Sequence, residues 1–336
     1  MLDTLIAIDS CHLHANDLAS YGQVLQQQGQ YRKAGNLYEK ALELVKNSAE
    51  SNSIVTLQIT SSLATSYWNQ GRWAEAEKLE VEVLEQRRRI LGMEHPDTIR
   101  AAANLATTYA DQGRWTEAEN LEVEVLEQRR RILGMEHPDT IRAASNLAST
   151  YSDQGRWTEA EKLKVEVLEQ RRRILGMEHP DTMFAAANLA ITYADQGWWT
   201  EAENLEVEVL EQRRRILGME HPDTIFAAAN LASTYHAQGR WTEAENLEVE
   251  VLEQRRRILG IEHPDTIRAA VNLASTYHAQ GRWEEGADLF ASAVPLSLKI
   301  LGRQHPNTQN YVKDLAFVYE KLGKNQEAEE ARALLL

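Results

Sequence analysis

The sequence has almost no cysteine, no excess of positive charge and no long apolar run. Cys11 is the only cysteine, which excludes an internal disulfide and points to a cytoplasmic home. Against 36 lysines and arginines stand 51 aspartates and glutamates, a net charge of -15. That balance argues against nucleic acid and against anionic membranes, both of which need basic faces. No stretch approaches the roughly 18 unbroken apolar residues of a membrane span. The start, MLDTLIAIDSCHLHAND, lacks a basic segment ahead of an apolar core, so it does not read as a signal peptide. No GxxxxGK[ST] phosphate loop occurs. Seven prolines and seventeen glycines are few for 336 residues, and most recur at fixed positions. With 43% hydrophobic and 26% charged residues the chain is a folded one.

What is present is a repeat. Gly29, Gly71, Gly113, Gly155, Gly197, Gly239, Gly281 and Gly323 follow one another every 42 residues, with no insertion between His14 and the end. The cleanest copy, Thr98 to Asp139, reads TIRAAANLATTYADQGRWTEAENLEVEVLEQRRRILGMEHPD. A period of that size marks a solenoid, because one unit cannot bury its own apolar face and stacked neighbours can. The units start at 14, 56, 98, 140, 182, 224, 266 and 308. Residues 1–13, with Leu2, Leu5, Ile6 and Ala7 at helical spacing, read as the remnant of a preceding helix, so the chain reads as part of something larger.

Each unit divides at its glycine. Upstream, Ile99, Ala102, Leu105, Ala106 and Tyr109 form one face of a helix, A. Its start carries His95-Pro96-Asp97, with proline suited to a first helical position; either His95 or Asp97 can be the N-cap. Gly113 ends helix A in a left-handed conformation, and a short turn leads into an antiparallel helix B, Trp115 to Leu133. LEVEVLEQ alternates like a strand in isolation. Ala118, Leu121, Val125, Ile132 and Leu133 restore helical spacing over the longer window. Glutamates crowd the start and Arg129, Arg130 and Arg131 the end, as the helix dipole favours, and Glu127 stands four residues before Arg131.

The arginine triplets end helices among glutamates, so they read as structural rather than as a nucleic-acid patch. His95, His137, His179, His221, His263 and His305 occur once per linker and lack metal-site spacing. Neither a metal nor a cofactor is expected. The polar residues recur in every unit, whereas an active site needs one unique constellation, so the chain does not read as an enzyme.

The pattern resembles the tetratricopeptide repeat. Tyr21, Gly22, Leu25, Gly29, Tyr31, Ala34, Tyr38 and Ala41 match its packing positions, as do Leu105, Ala106, Tyr109, Gly113, Trp115, Ala118 and Val125. Later units depart where Tyr38 is replaced by residues such as Glu122, and they lack the family's closing proline. The 42-residue unit with NLA, EAE and LGxxHPDT resembles the kinesin light chain subclass. Its near-identical copies resemble the C-terminal sensing repeats of fungal STAND receptors. The resemblance implies an all-α, right-handed superhelical solenoid of antiparallel helix pairs, with helix A lining a concave groove. The last unit, where Asn325 replaces the tryptophan, reads as a polar C-terminal cap.

The copies differ from one another mainly on helix A, at the positions of Arg100, Ala103, Thr107, Ala110 and Asp111, which share a face. There the chain carries Arg100, Arg142, Phe184, Phe226 and Arg268 at one position, and Ile191 and Phe317 at a second. It carries Trp68, His236 and His278 at a third, and Asp111, Asp153 and Asp195 at a fourth. Beside them runs a constant ladder: Asn104, Asn146, Asn188, Asn230 and Asn272. Drift at free surface sites would also scatter changes over helix B and would seldom place Phe or Trp there. The face therefore reads as a groove for a protein or extended peptide. The asparagines would bond its backbone or only pack, Phe184, Ile191 and Phe226 would seat an apolar anchor, and the arginines would engage carboxylates. Trp198, where other turns carry arginine, is a weaker candidate. A monomer is favoured. The expected role is a non-catalytic scaffold, with a STAND sensor region or a kinesin-light-chain-type cargo adaptor as its finer alternatives.

Overall fold

The computed structural model describes residues 14–46 and 54–335, and among them it contains helices and no strands. Cys11 and the expected helical remnant at 1–13 lie outside the described residues. Two compact units divide the chain after Gln170. The first holds α1 (Ala15–Gln27), α2 (Tyr31–Lys46), α3 (Ile54–Asn69), α4 (Trp73–Leu91), α5 (Pro96–Asp111), α6 (Trp115–Leu133) and α7 (Pro138–Asp153). Helix α8 (Trp157–Leu175) carries the point of division. The second unit holds α9 (Pro180–Asp195), α10 (Trp199–Leu217), α11 (Pro222–Ala237), α12 (Trp241–Leu259), α13 (Pro264–Ala279), α14 (Trp283–Ile300), α15 (Pro306–Lys321) and α16 (Asn325–Ala333). Within each unit, every helix packs on the next one along the chain.

The first unit shows why the pairs form. Helix α5 opens on Pro96, and His95, in extended backbone, is its N-cap: the His95 Nδ1 accepts from the Asp97 N–H at 3.1 Å. Asp97 stands instead in the first turn, where its charge suits the exposed amides. The helix ends at Gly113, whose φ of 74° costs a residue without Cβ nothing. The Arg114 N–H reaches back to the Tyr109 carbonyl and the Gly113 N–H to Ala110, both at 2.9 Å, so the last carbonyls are satisfied and the chain reverses at once into α6.

Small side chains let the helices approach closely. Ala102, Ala106 and Ala118 are buried with Leu105, Val125 and Leu126. The second unit repeats this arrangement with Ala228, Ala232 and Ala244 against Leu231, Val251 and Leu252. Ile132 and Leu133, counted above with the apolar face of helix B, are 43% and 41% exposed. The neighbouring Arg129 is the buried one, and its guanidinium donates to the Asp139 carbonyl at 3.0 Å in the first turn of α7.

The arginine triplets thus hold successive pairs together. Arg130 bridges α6 to Glu166 at 2.7 Å. Arg131 pairs with Glu94, at 2.5 Å, and with the nearby Gln128, not with Glu127. In the second unit Arg213, Arg214 and Arg215 engage the Asp223 carbonyl, Glu250 and Glu178. The turn arginines lie over tyrosines, Arg114 on Tyr109 and Arg240 on Tyr235, each at 4.3 Å. Trp198 keeps that role by stacking on Tyr193 with ring centres 5.8 Å apart.

Candidate functional site

The variable face of helix A divides into two strips. In the first unit, Arg100 and Arg142 stand near the N-terminal ends of α5 and α7. They line one hollow of about 140 Å³ with Pro96, Ile99, Ile132 and Leu133. Each guanidinium pairs with an aspartate three residues earlier, Arg100 with Asp97 at 2.5 Å and Arg142 with Asp139 at 2.6 Å. Both pairs are exposed, and such pairs are worth only about 0–1 kcal/mol.

Further along the same helices lies the second strip. Trp68 on α3 and Asn104 on α5 line a separate hollow of about 170 Å³ with Thr65, Thr107 and Glu80. The Trp68 indole N–H donates to Asp111 at 2.6 Å, which ties two of the predicted residues together across adjacent pairs. Asn146 and Asp153 are exposed on α7 and line neither of these hollows.

The second unit carries the same two strips. Phe226 and Arg268 line a hollow of about 280 Å³ with Pro222, Ile225, Ile258 and Leu259. Arg268 pairs with Asp265 at 2.7 Å. His236 and Asn272 line a second hollow, of about 180 Å³, with Ser233, Ser275 and Glu248. The His236 ring nitrogen Nδ1 lies 2.9 Å from the Thr276 hydroxyl, and burial holds its pKa below the usual imidazole value. His278 instead packs on Trp283 and Phe317, at 4.4 and 5.3 Å between ring centres. Phe184 and Ile191 are exposed on α9, Asp195 ends that helix in solvent, and Asn188 and Asn230 are half-buried.

Glu80 and Glu248 floor two of these hollows although neither was counted above among the groove residues. Their counterparts Glu122 and Glu206 are likewise buried, at 5% exposure. Burial pushes the carboxyls of Glu122, Glu206 and Glu248 up to about 7 and raises that of Glu80, each moderated by a neighbouring threonine hydroxyl. The signal was present in the sequence, since these glutamates stand where the first repeat has Tyr38. Nothing in a single sequence says that a carboxylate at that position turns inward.

The model of the tetratricopeptide repeat matches residues 13–80, 55–131, 100–173, 139–215, 183–257, 224–285 and 265–331. The chain belongs to the tetratricopeptide repeat family. Among solved structures it is similar to the kinesin-light-chain-like, nearly identical TPR-like repeats of a Podosopora anserina protein. The identity is 30%, over 62% of this chain and 98% of that one, with a TM-score of 0.56. A STAND protein with a tetratricopeptide repeat sensor from Pyrococcus horikoshii shares 14% identity over 95% of this chain and 45% of that one, TM-score 0.67. The quorum sensor NprR of B. thuringiensis shares 14% over 99% and 91%, TM-score 0.69. At that identity the last two speak for the fold alone. A search of curated proteins returns no match.

Tetratricopeptide repeats are in general scaffolds for protein interaction rather than catalysts. Among the described residues no group of three or more His, Cys, Asp or Glu side chains can hold a metal ion. No described helix is long and apolar enough to cross a membrane.

Proposed function

We propose that the variable face of helix A binds an extended segment of a protein partner. The observation that carries this reading is the exposure of two large aromatics in the second unit, Phe184 at 55% and Phe226 at 45%. Both stand at a position that is arginine in three other copies, Arg100, Arg142 and Arg268, and Gln58 or Asn310 elsewhere. Leaving phenylalanine in water gains nothing for the fold, and an exposed ring beside an apolar hollow is the feature of an anchor site. Neighbouring Arg268 adds a cation with which a ligand carboxylate can pair.

Random peptides displayed against the whole chain test the proposal. Selected peptides are expected to lose about tenfold or more of their affinity when Phe184 and Phe226 are both changed to serine, the usual loss for an aromatic anchor. Arg131→Ala, away from this face, serves as the control. Equal effects from the two variants, measured by calorimetry, sink the groove.

A sensing role within a STAND receptor is the second reading, ahead of a kinesin-light-chain-type cargo adaptor. The near identity of the copies, which resembles that of STAND sensing repeats, supports it. A phosphate-loop module encoded in frame upstream of Met1 would support the sensor, and a stop codon there would support a free-standing adaptor.

A further inference from the structure

The buried glutamates are the feature that neither the fold nor the aromatic anchors account for. Tyr38 and Phe290 occupy the corresponding position elsewhere in the chain, each at 1% exposure. A large apolar ring is therefore an available solution there, and it packs well. In place of it the first unit has Glu80 and Glu122, and the second has Glu206 and Glu248, at 5–6% exposure. In all four, the Oε2 oxygen is buried without a hydrogen-bond partner. A buried carboxyl left half-satisfied is costly, so packing alone does not explain its use at four positions.

The hollows indicate what would complete these groups. Glu80 and Glu248 each floor a space of about 170–180 Å³ that opens between consecutive helices A. Its walls are Thr65, Trp68, Asn104 and Thr107 in one case, and Ser233, His236, Asn272 and Ser275 in the other. All of these side chains except Trp68 and His236 offer an oxygen acceptor. The chain itself supplies a cation at the same position: in α8 the glutamate is replaced by Lys164, whose ammonium donates to the Ser152 hydroxyl at 2.8 Å. An ammonium thus finds a partner on the walls of this layer. The net charge of -15 draws basic ligands toward it.

We propose that these carboxyls receive the lysine or arginine side chains of an extended peptide, one per hollow. The inference rests on the groove reading above and adds the chemistry of its floor. The apolar stem of the side chain would fill the hollow, and its N–H groups would bond the wall oxygens and the carboxyl, which must turn to bring the orphaned Oε2 within reach. The ligand is then basic where it lies over the glutamates, and apolar or acidic where it passes Phe226 and Arg268.

The test uses the whole chain and peptides selected from a displayed random library. Lysine and arginine are expected to be enriched among the binders. Changing Glu206 and Glu248 together to glutamine, in the unit that holds Phe184 and Phe226, should weaken binding about tenfold or more, as the loss of charge-assisted hydrogen bonds does. Changing exposed Glu211 and Glu253 to glutamine removes the same net charge and should leave affinity within about twofold. Replacing the peptide lysine by norleucine should cost as much on the native chain and little on the Glu206→Gln, Glu248→Gln variant. This arm holds even where a protein variant is perturbed in stability. Binders without basic residues, or equal losses from the two glutamine pairs, overturn the inference and leave the groove standing. Binders indifferent to Phe184 and Phe226, or no binders at all, overturn both.

Discussion

A carboxyl that is buried without a full set of partners is most comfortable when neutral. For Glu122, burial raises the pKa to about 7, with the nearby charges of Glu119 and Asp153 adding to the shift. The protonated form is favoured in the folded chain well above the pH at which it ionises in the unfolded one. Its contribution to stability is therefore full below the unfolded carboxylate range and is lost as pH rises through about 7. Glu122→Gln removes the cost of ionisation. It is expected to raise the unfolding free energy at pH 8 by roughly 1–3 kcal/mol and to change it little at pH 5. Urea denaturation at the two pH values decides, and a variant less stable than the native chain at pH 8 contradicts the burial argument. Elsewhere single residues settle local geometry. Where Tyr38 fills the layer, Gly22 faces it, because a Cβ there would come within 2.7 Å of the ring. Where a glutamate fills the layer, the corresponding residues Ala64 and Ala106 are tolerated.

At the scale of the helix, the end of helix B does two separate jobs with adjacent arginines. Arg129 is 7% exposed and donates to a backbone carbonyl of the next helix, so it acts as a staple between pairs. Arg130 forms a side-chain ion pair with Glu166 that is partly open to water. Removing a buried charged donor strands its acceptor and gives up about 1.5–3 kcal/mol, whereas a part-exposed pair is worth about 0–1 kcal/mol. Arg129→Leu is accordingly expected to lower the thermal midpoint clearly and Arg130→Ala only slightly. Similar shifts from the two, measured by circular dichroism, would show the staple to be unimportant. The same helix ends show where sequence reading stops. Trp115 and Leu133 bound helix B as the pattern predicts, and the triplet was legible as structural. Which of its three arginines is buried was not, because residues one apart on a helix face different neighbours, and those neighbours come from another repeat.

At the scale of the whole molecule, each pair depends on its neighbours along the chain, and the register is the unit of tolerance. Excising residues 98–139 joins Asp97 to Thr140, the same step as Asp97 to Thr98, and removes one whole period. The shortened chain is expected to keep its helicity per residue and a cooperative transition, with a lower midpoint because one inter-pair contact is lost. Excising 98–118 instead joins the first turn of helix A to the second turn of helix B and should lose helicity well beyond its own length. Equal behaviour of the two deletions would argue that the 42-residue period does not govern packing.

The sequence alone determined the helix pairs, because apolar spacing, an N-terminal proline and a left-handed glycine act through local backbone physics within one copy. It also marked the variable face, since near-identical copies make their own comparison. Tertiary structure decided the rest. It separated Arg100 from Trp68 into different hollows, bound Trp68 to Asp111, and turned four glutamates inward while leaving Ile132 and Leu133 in solvent. Those outcomes depend on which side chains of consecutive pairs meet, and a periodic sequence records the same residues in every copy without recording the contacts between them.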